Sequence, residues 1–100
     1  MNHEPIVFSC EACPVQASGI TSDGYPWYFR ARWQKWTFSV GSSKDSDPVK
    51  VGLGWVPGWI RSEPYGDNEY AAGYMPLSEA EAIIHRCLEE HHAQPDKETP

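Results

Sequence analysis

The stretch Tyr25-Pro26-Trp27-Tyr28-Phe29-Arg30-Ala31-Arg32-Trp33-Gln34-Lys35-Trp36-Thr37-Phe38-Ser39-Val40 decides the fold. Trp27, Phe29, Ala31 and Trp33 occupy every second position, with Tyr28, Arg30 and Arg32 between them. Successive side chains of a strand point to opposite sides, so this alternation predicts one apolar and one polar face. Trp36, Phe38 and Val40 alternate in the same way with Thr37 and Ser39. Gln34-Lys35 leaves room only for a tight turn, and the unit reads as a hairpin.

Upstream, Ser22-Asp23-Gly24 is a turn signal, because glycine accepts positive φ at no steric cost. Val15 to Thr21 then pairs ahead of the hairpin, giving a meander with strands near 15–21, 25–33 and 36–41. Ile6-Val7-Phe8 suits an edge strand that Pro14 ends or kinks. Downstream, Gly41 to Pro48 is a polar loop by composition. Val49, Val51 and Leu53 alternate and predict a fourth strand toward Trp55-Val56, interrupted by Gly52, Gly54, Pro57 and Gly58. Arg61 to Asn68 reads as a second loop, and Tyr70 to Met75 as a short apolar segment closed by Pro76.

The last element is a helix over Ser78–His92. Ser78 with Glu81 matches the Ser-x-x-Glu capping box. Ala80, Ile83, Ile84, Cys87 and Leu88 make one apolar stripe at helical period. A helix apolar on one side needs a surface to lie on, and the sheet is the available one. The expected architecture is α+β: a small antiparallel β-sheet of three to five strands with one C-terminal helix packed on one face. One hundred residues make a single domain, 1–100, with 1–14 and 94–100 expected to be loosely ordered.

Composition narrows the function. No run reaches the roughly 18 apolar residues of a membrane span, and Met1-Asn2-His3-Glu4-Pro5 lacks the basic start of a signal peptide. Three cysteines, an odd number, point to a reducing cytoplasm rather than a disulfide framework. Residues 1–60 are balanced in charge, so the net −6 sits entirely in residues 61–100. Acidity disfavours general binding to phosphates, and it serves either solubility or encounter with a basic protein surface as partner.

Candidate sites are few. Cys10-x-x-Cys13 supplies two zinc ligands, and His3, His85, Cys87, His91 or His92 would have to complete the tetrahedron. No G-x-S-x-G elbow is present, and Gly52-Leu53-Gly54 is not a phosphate loop, because Pro57 stands where its third glycine belongs. Glu81 and His85 are one helical turn apart, as in a surface pair. Tyr28, Arg30 and Arg32 with Lys35 form the one basic-aromatic cluster, suited either to cross-strand support or to single-stranded nucleic acid. Trp55 and Trp59, in a Gly/Pro-broken segment, read either as surface anchors or as a lid between sheet edge and helix.

Tyr28-Phe29-Arg30-Ala31-Arg32, Trp36-Thr37-Phe38-Ser39-Val40 and Tyr74-Met75-Pro76 ahead of an Ala/Glu/Ile helix carry a resemblance. The chain resembles short uncharacterised proteins of bacterial and prophage genomes that pair a Y-F-R-A-R hairpin with a C-terminal helix. The likeness covers roughly residues 18–90 and implies a phage or mobile-element setting, with no catalytic residues to carry over. The expected function is a small acidic, non-enzymatic, anti-CRISPR-like inhibitor. It would dock on a basic surface of a nucleic-acid-handling complex through Glu63, Asp67, Glu69 and the exposed helix face. The alternative is a zinc-stabilised module using Cys10 and Cys13. A homodimer through an exposed strand edge is a further expectation.

Overall fold

A computed structural model describes residues 6, 8–11, 15–66, 68 and 71–93 of the chain. Five strands, β1 (Phe8–Glu11), β2 (Val15–Ile20), β3 (Pro26–Arg32), β4 (Lys35–Gly41) and β5 (Gly58–Pro64), form one sheet in sequence order. Every neighbouring pair is antiparallel. A short helix, α1 (Pro48–Gly52), separates β4 from β5, and a 3-10 turn (Ala72–Tyr74) precedes the long helix α2 (Leu77–His92).

The alternation of the hairpin becomes the two faces of the sheet. Val15, Ala17, Trp27, Phe29, Ala31, Trp36, Phe38 and Val40 point inward and are buried, and α2 closes over them with Ala80, Ile84 and Cys87. The large rings interlock diagonally across strands. Trp27 stacks on Phe38 with centroids 5.5 Å apart, and Phe29 lies against Trp36 at 6.1 Å. Such offset pairs add to the gain from burial alone. Gly19 stands opposite Trp27 in the register, and a Cβ there would come within 2.8 Å of the indole. The absence of a side chain is what seats this tryptophan.

Four expectations are corrected. The β3–β4 turn is Trp33-Gln34 rather than Gln34-Lys35, since Arg32 pairs with Lys35. Trp33 adopts φ +62°, uncommon for a residue with a Cβ, and so leaves the apolar face and is exposed. Two bonds hold the turn there: Ala72 N–H donates to the Trp33 carbonyl at 2.9 Å and Tyr65 N–H to the Gln34 carbonyl at 2.6 Å. The fourth strand expected at Val49–Val56 is instead α1. Asp47 Oδ1 accepts from Val49 N–H at 3.0 Å and Pro48 occupies the first turn, a helix start that outweighs three alternating apolar residues.

The strand that follows is β5, where a loop was expected from Arg61 onward. Its inward positions are Trp59, Arg61 and Glu63, so charge replaces the apolar half of the alternation. The reason is the partner, because this edge of the sheet meets the polar flank of α2. Finally, α2 starts at Leu77, which puts Ser78 inside the helix; no side chain caps it, and the capping box does not form. The Pro76 carbonyl accepts from both Glu79 and Ala80 N–H groups at 3.0 Å instead.

Candidate functional site

The register places the ionisable side chains in two separate layers. On the inner side, Arg61 and Glu63 of β5 meet Arg86 and Glu90 of α2. Arg61 lies 3.4 Å from Glu63 and 3.5 Å from Glu90, while Arg86 lies 3.5 Å from Glu63 and 3.9 Å from Glu90. The Arg86 guanidinium also sits over the Trp36 ring, 5.7 Å from its centroid. Each member is a third to a half exposed, so each pair is worth about 0.2–1 kcal/mol. Their arrangement in a closed ring fixes the register of helix on strand.

Of the docking residues expected from the sequence, Glu63 has its carboxylate between two guanidiniums of the molecule itself. Asp67 and Glu69, its companions in the sequence reading, lie outside the described residues. What the helix layer does present is Glu79, Glu81 and Glu89 on α2, with Asp23 near its C-terminal end, where His92 Nδ1 approaches within 3.7 Å. Glu79 accepts a hydrogen bond from the Tyr65 hydroxyl at 2.5 Å, which drives the Tyr65 phenol up to about 12, with burial adding to the shift. Counting the ring, six carboxylates, Asp23, Glu63, Glu79, Glu81, Glu89 and Glu90, stand with two guanidiniums, Arg61 and Arg86, and with the Lys44 side chain beside the Asp23-Gly24 turn.

The opposite face has the other sign. The outward positions of β2 to β5 hold Arg30, Arg32 and Lys35 and no carboxylate. These cations cannot pair with α2, because the sheet lies between them. Tyr28 shares this face, and Gln16 Nε2 donates to its hydroxyl at 2.8 Å. Burial raises the Tyr28 phenol above its ordinary value, against smaller opposing effects of Arg30 and the Gln16 bond. Arg32 stacks over the Trp33 ring, 4.7 Å from its centroid. Helix α1 covers one end of the face: Ser39, buried there, donates from its hydroxyl to the Pro48 carbonyl at 2.7 Å.

The two candidate tryptophan anchors separate. Trp55 is 70 % exposed. Trp59 is half-buried, with its ring edge-on to Phe38 at 6.1 Å and to His91 at 5.4 Å, so it closes the sheet edge against the helix. His91 is buried between Trp59 and Tyr25, a position the apolar stripe points to only if extended one turn past Leu88. The cysteines separate too. Cys10 pairs with Gln16 on the outward side of β1, whereas Cys87 is buried on the inward side of α2, so the sheet stands between them. Burial above all, then the Glu90 charge, pushes the Cys87 thiol up to about 12, which disarms it as a nucleophile. Cys13 and His3 lie outside the described residues, and among the described residues no cluster of three metal-ligating side chains forms.

No protein-family model, curated protein or solved structure matches the chain. Among the described residues no helix is long and apolar enough to cross a membrane.

Proposed function

We propose that this is a small, non-enzymatic binding protein of phage type, anti-CRISPR-like in its mode, which docks its helix layer on a basic surface of a nucleic-acid-handling complex. The observation that carries the reading is the segregation of charge by face. Six carboxylates gather on the helix side, while Arg30, Arg32 and Lys35, which pair with no carboxylate among the described residues, face the other way. The docking residues are the α2 carboxylates outside the ring, the exposed Glu89 and the half-buried Glu81 foremost, rather than Glu63.

The mechanism is competition. A helix carrying carboxylates a turn or two apart offers a basic groove the charge it otherwise takes from phosphates, and steric bulk then denies nucleic acid the same surface. Complementary charge speeds encounter and makes binding sensitive to salt. A cytoplasmic setting follows from such a partner. The test is capture of partners from a bacterial host lysate on immobilised protein, washed at about 0.1 M and then about 0.5 M salt, the second wash shortening the screening length from about 10 Å. A nucleic-acid-binding partner that elutes with salt, and that loses its nucleic acid on binding, supports the reading. A partner retained at high salt and still carrying nucleic acid contradicts it.

A further inference from the structure

The open face of the sheet has a feature that the helix layer lacks. Arg32 and Lys35 stand directly opposite each other across β3 and β4, and Arg30 is the next outward residue on β3. Like charges directly opposite on a sheet face destabilise it. Arg61 and Arg86, on the other side, are each held by two carboxylates. Arg30, Arg32 and Lys35 form no ion pair with a described carboxylate, and the Arg30 Nε is buried without a hydrogen-bond partner among the described residues. This arrangement costs stability in the isolated molecule and is relieved by an anion laid on the face.

We propose that the outward face of β2–β4, at the Trp33-Gln34 end, is a binding surface for single-stranded nucleic acid, with Arg30, Arg32 and Lys35 holding phosphates and Trp33 offering its ring to a base. The cations lie in a line rather than a pocket. Alternate residues of a strand are about 7 Å apart, so the strip suits an extended polyanion better than a small ion. The rings decide between polyanions. Tyr28 lies along the strip, and Trp33 is 52 % exposed at its end with Arg32 already stacked on it. Bases stack on such rings whatever their sequence, whereas an acidic polypeptide has no use for them. The net charge of −6 is no obstacle, because the carboxylates that supply it on the described residues lie mainly beyond the sheet. The inference stands apart from the docking of the helix layer, since it uses the opposite face.

The experiment is fluorescence anisotropy of a labelled oligothymidine of about 12 nucleotides, within the range such surfaces cover. Three phosphate contacts predict that the logarithm of affinity falls with the logarithm of salt at a slope of about −2. Arg30→Gln with Arg32→Gln should reduce that slope by more than half, while Lys44→Gln, which removes one charge from an exposed loop, should leave it alone. Trp33→Gly suits the positive φ of the turn and should weaken binding by about tenfold through lost stacking. The same oligonucleotide as a duplex should bind less tightly. No binding at about 50 mM salt, equal losses with Lys44→Gln, equal affinity for the duplex, or displacement by polyglutamate as readily as by unlabelled oligothymidine would each overturn the proposal.

Discussion

Cys87 offers the most direct probe of the contact between helix and sheet. It is fully buried on the face of α2 that meets the core, and its thiol is raised from 9.0 to about 12. Only the thiolate reacts with disulfide reagents. At about pH 8 an ordinary thiol is roughly one-tenth ionised, whereas Cys87 is ionised to about one part in ten thousand, a deficit of about a thousandfold. Burial multiplies this protection, because the reagent reaches the sulfur only when α2 lifts away. With Cys10→Ser and Cys13→Ser in place, Cys87 is the sole thiol of the three, and release of the coloured leaving group from an aromatic disulfide reports its rate alone. The rate in buffer should lie at least about a thousandfold below that in concentrated guanidinium chloride. A rate within tenfold of the unfolded one would refute the packing of α2 on the sheet. The linkage has a definite sign: the folded chain keeps this proton where the unfolded chain has lost it. Stability from this group is thus complete below pH 9.0 and is lost as pH climbs toward about 12.

Other perturbations follow from the same contacts. Ile84→Ala removes a fully buried side chain between α2 and the sheet; it should cost about 2–5 kcal/mol and lower the melting temperature by roughly 10 °C or more, as calorimetry would show. A Cβ at Gly58 would come within 2.5 Å of both the Val40 carbonyl oxygen and the Val51 side chain of α1. Gly58→Ala should therefore cost about 1–3 kcal/mol in denaturant unfolding; an unchanged midpoint would argue that α1 is not seated there. In a spectrophotometric titration of the five tyrosines, one phenol should ionise near 12, and Glu79→Gln should return it toward 10.0 by replacing a charged acceptor with a neutral amide oxygen. Because that phenol is raised in the folded state, its contribution to stability is present below pH 10.0 and is lost on the alkaline side.

The fold was legible where side chains speak through one dominant periodicity. Trp27 to Ala31 and Trp36 to Val40 alternate without exception, and Ala80 to Leu88 repeat at helical spacing, so strands, helix and their contact follow from burial alone. It was illegible where a local bond overrode the pattern. Asp47 and Pro48 turned an alternating valine segment into α1, and the Ala72 N–H took the Trp33 carbonyl and rotated that tryptophan out of its strand. β5 escaped notice because Arg61 and Glu63 occupy its inward positions, and their fitness there depends on Arg86 and Glu90, more than twenty residues away. For the same reason the sequence marked Glu63 as a docking residue. The net charge of the second half was readable, but its separation from the cations of β3 and β4 required the register.

The account rests on the helix layer as the docking face, and capture from a bacterial host lysate with variants that alter one face at a time tests it most directly. Glu81→Lys with Glu89→Lys reverses charge at two α2 carboxylates outside the ring, Glu63→Gln disturbs only the internal ring, and Arg30→Gln with Arg32→Gln alters the open sheet. All three should retain the circular dichroism of the parent. Loss of a salt-sensitive, nucleic-acid-binding partner with the first variant, and its retention with the other two, is the predicted result. Undiminished capture by Glu81→Lys with Glu89→Lys would contradict docking through the helix.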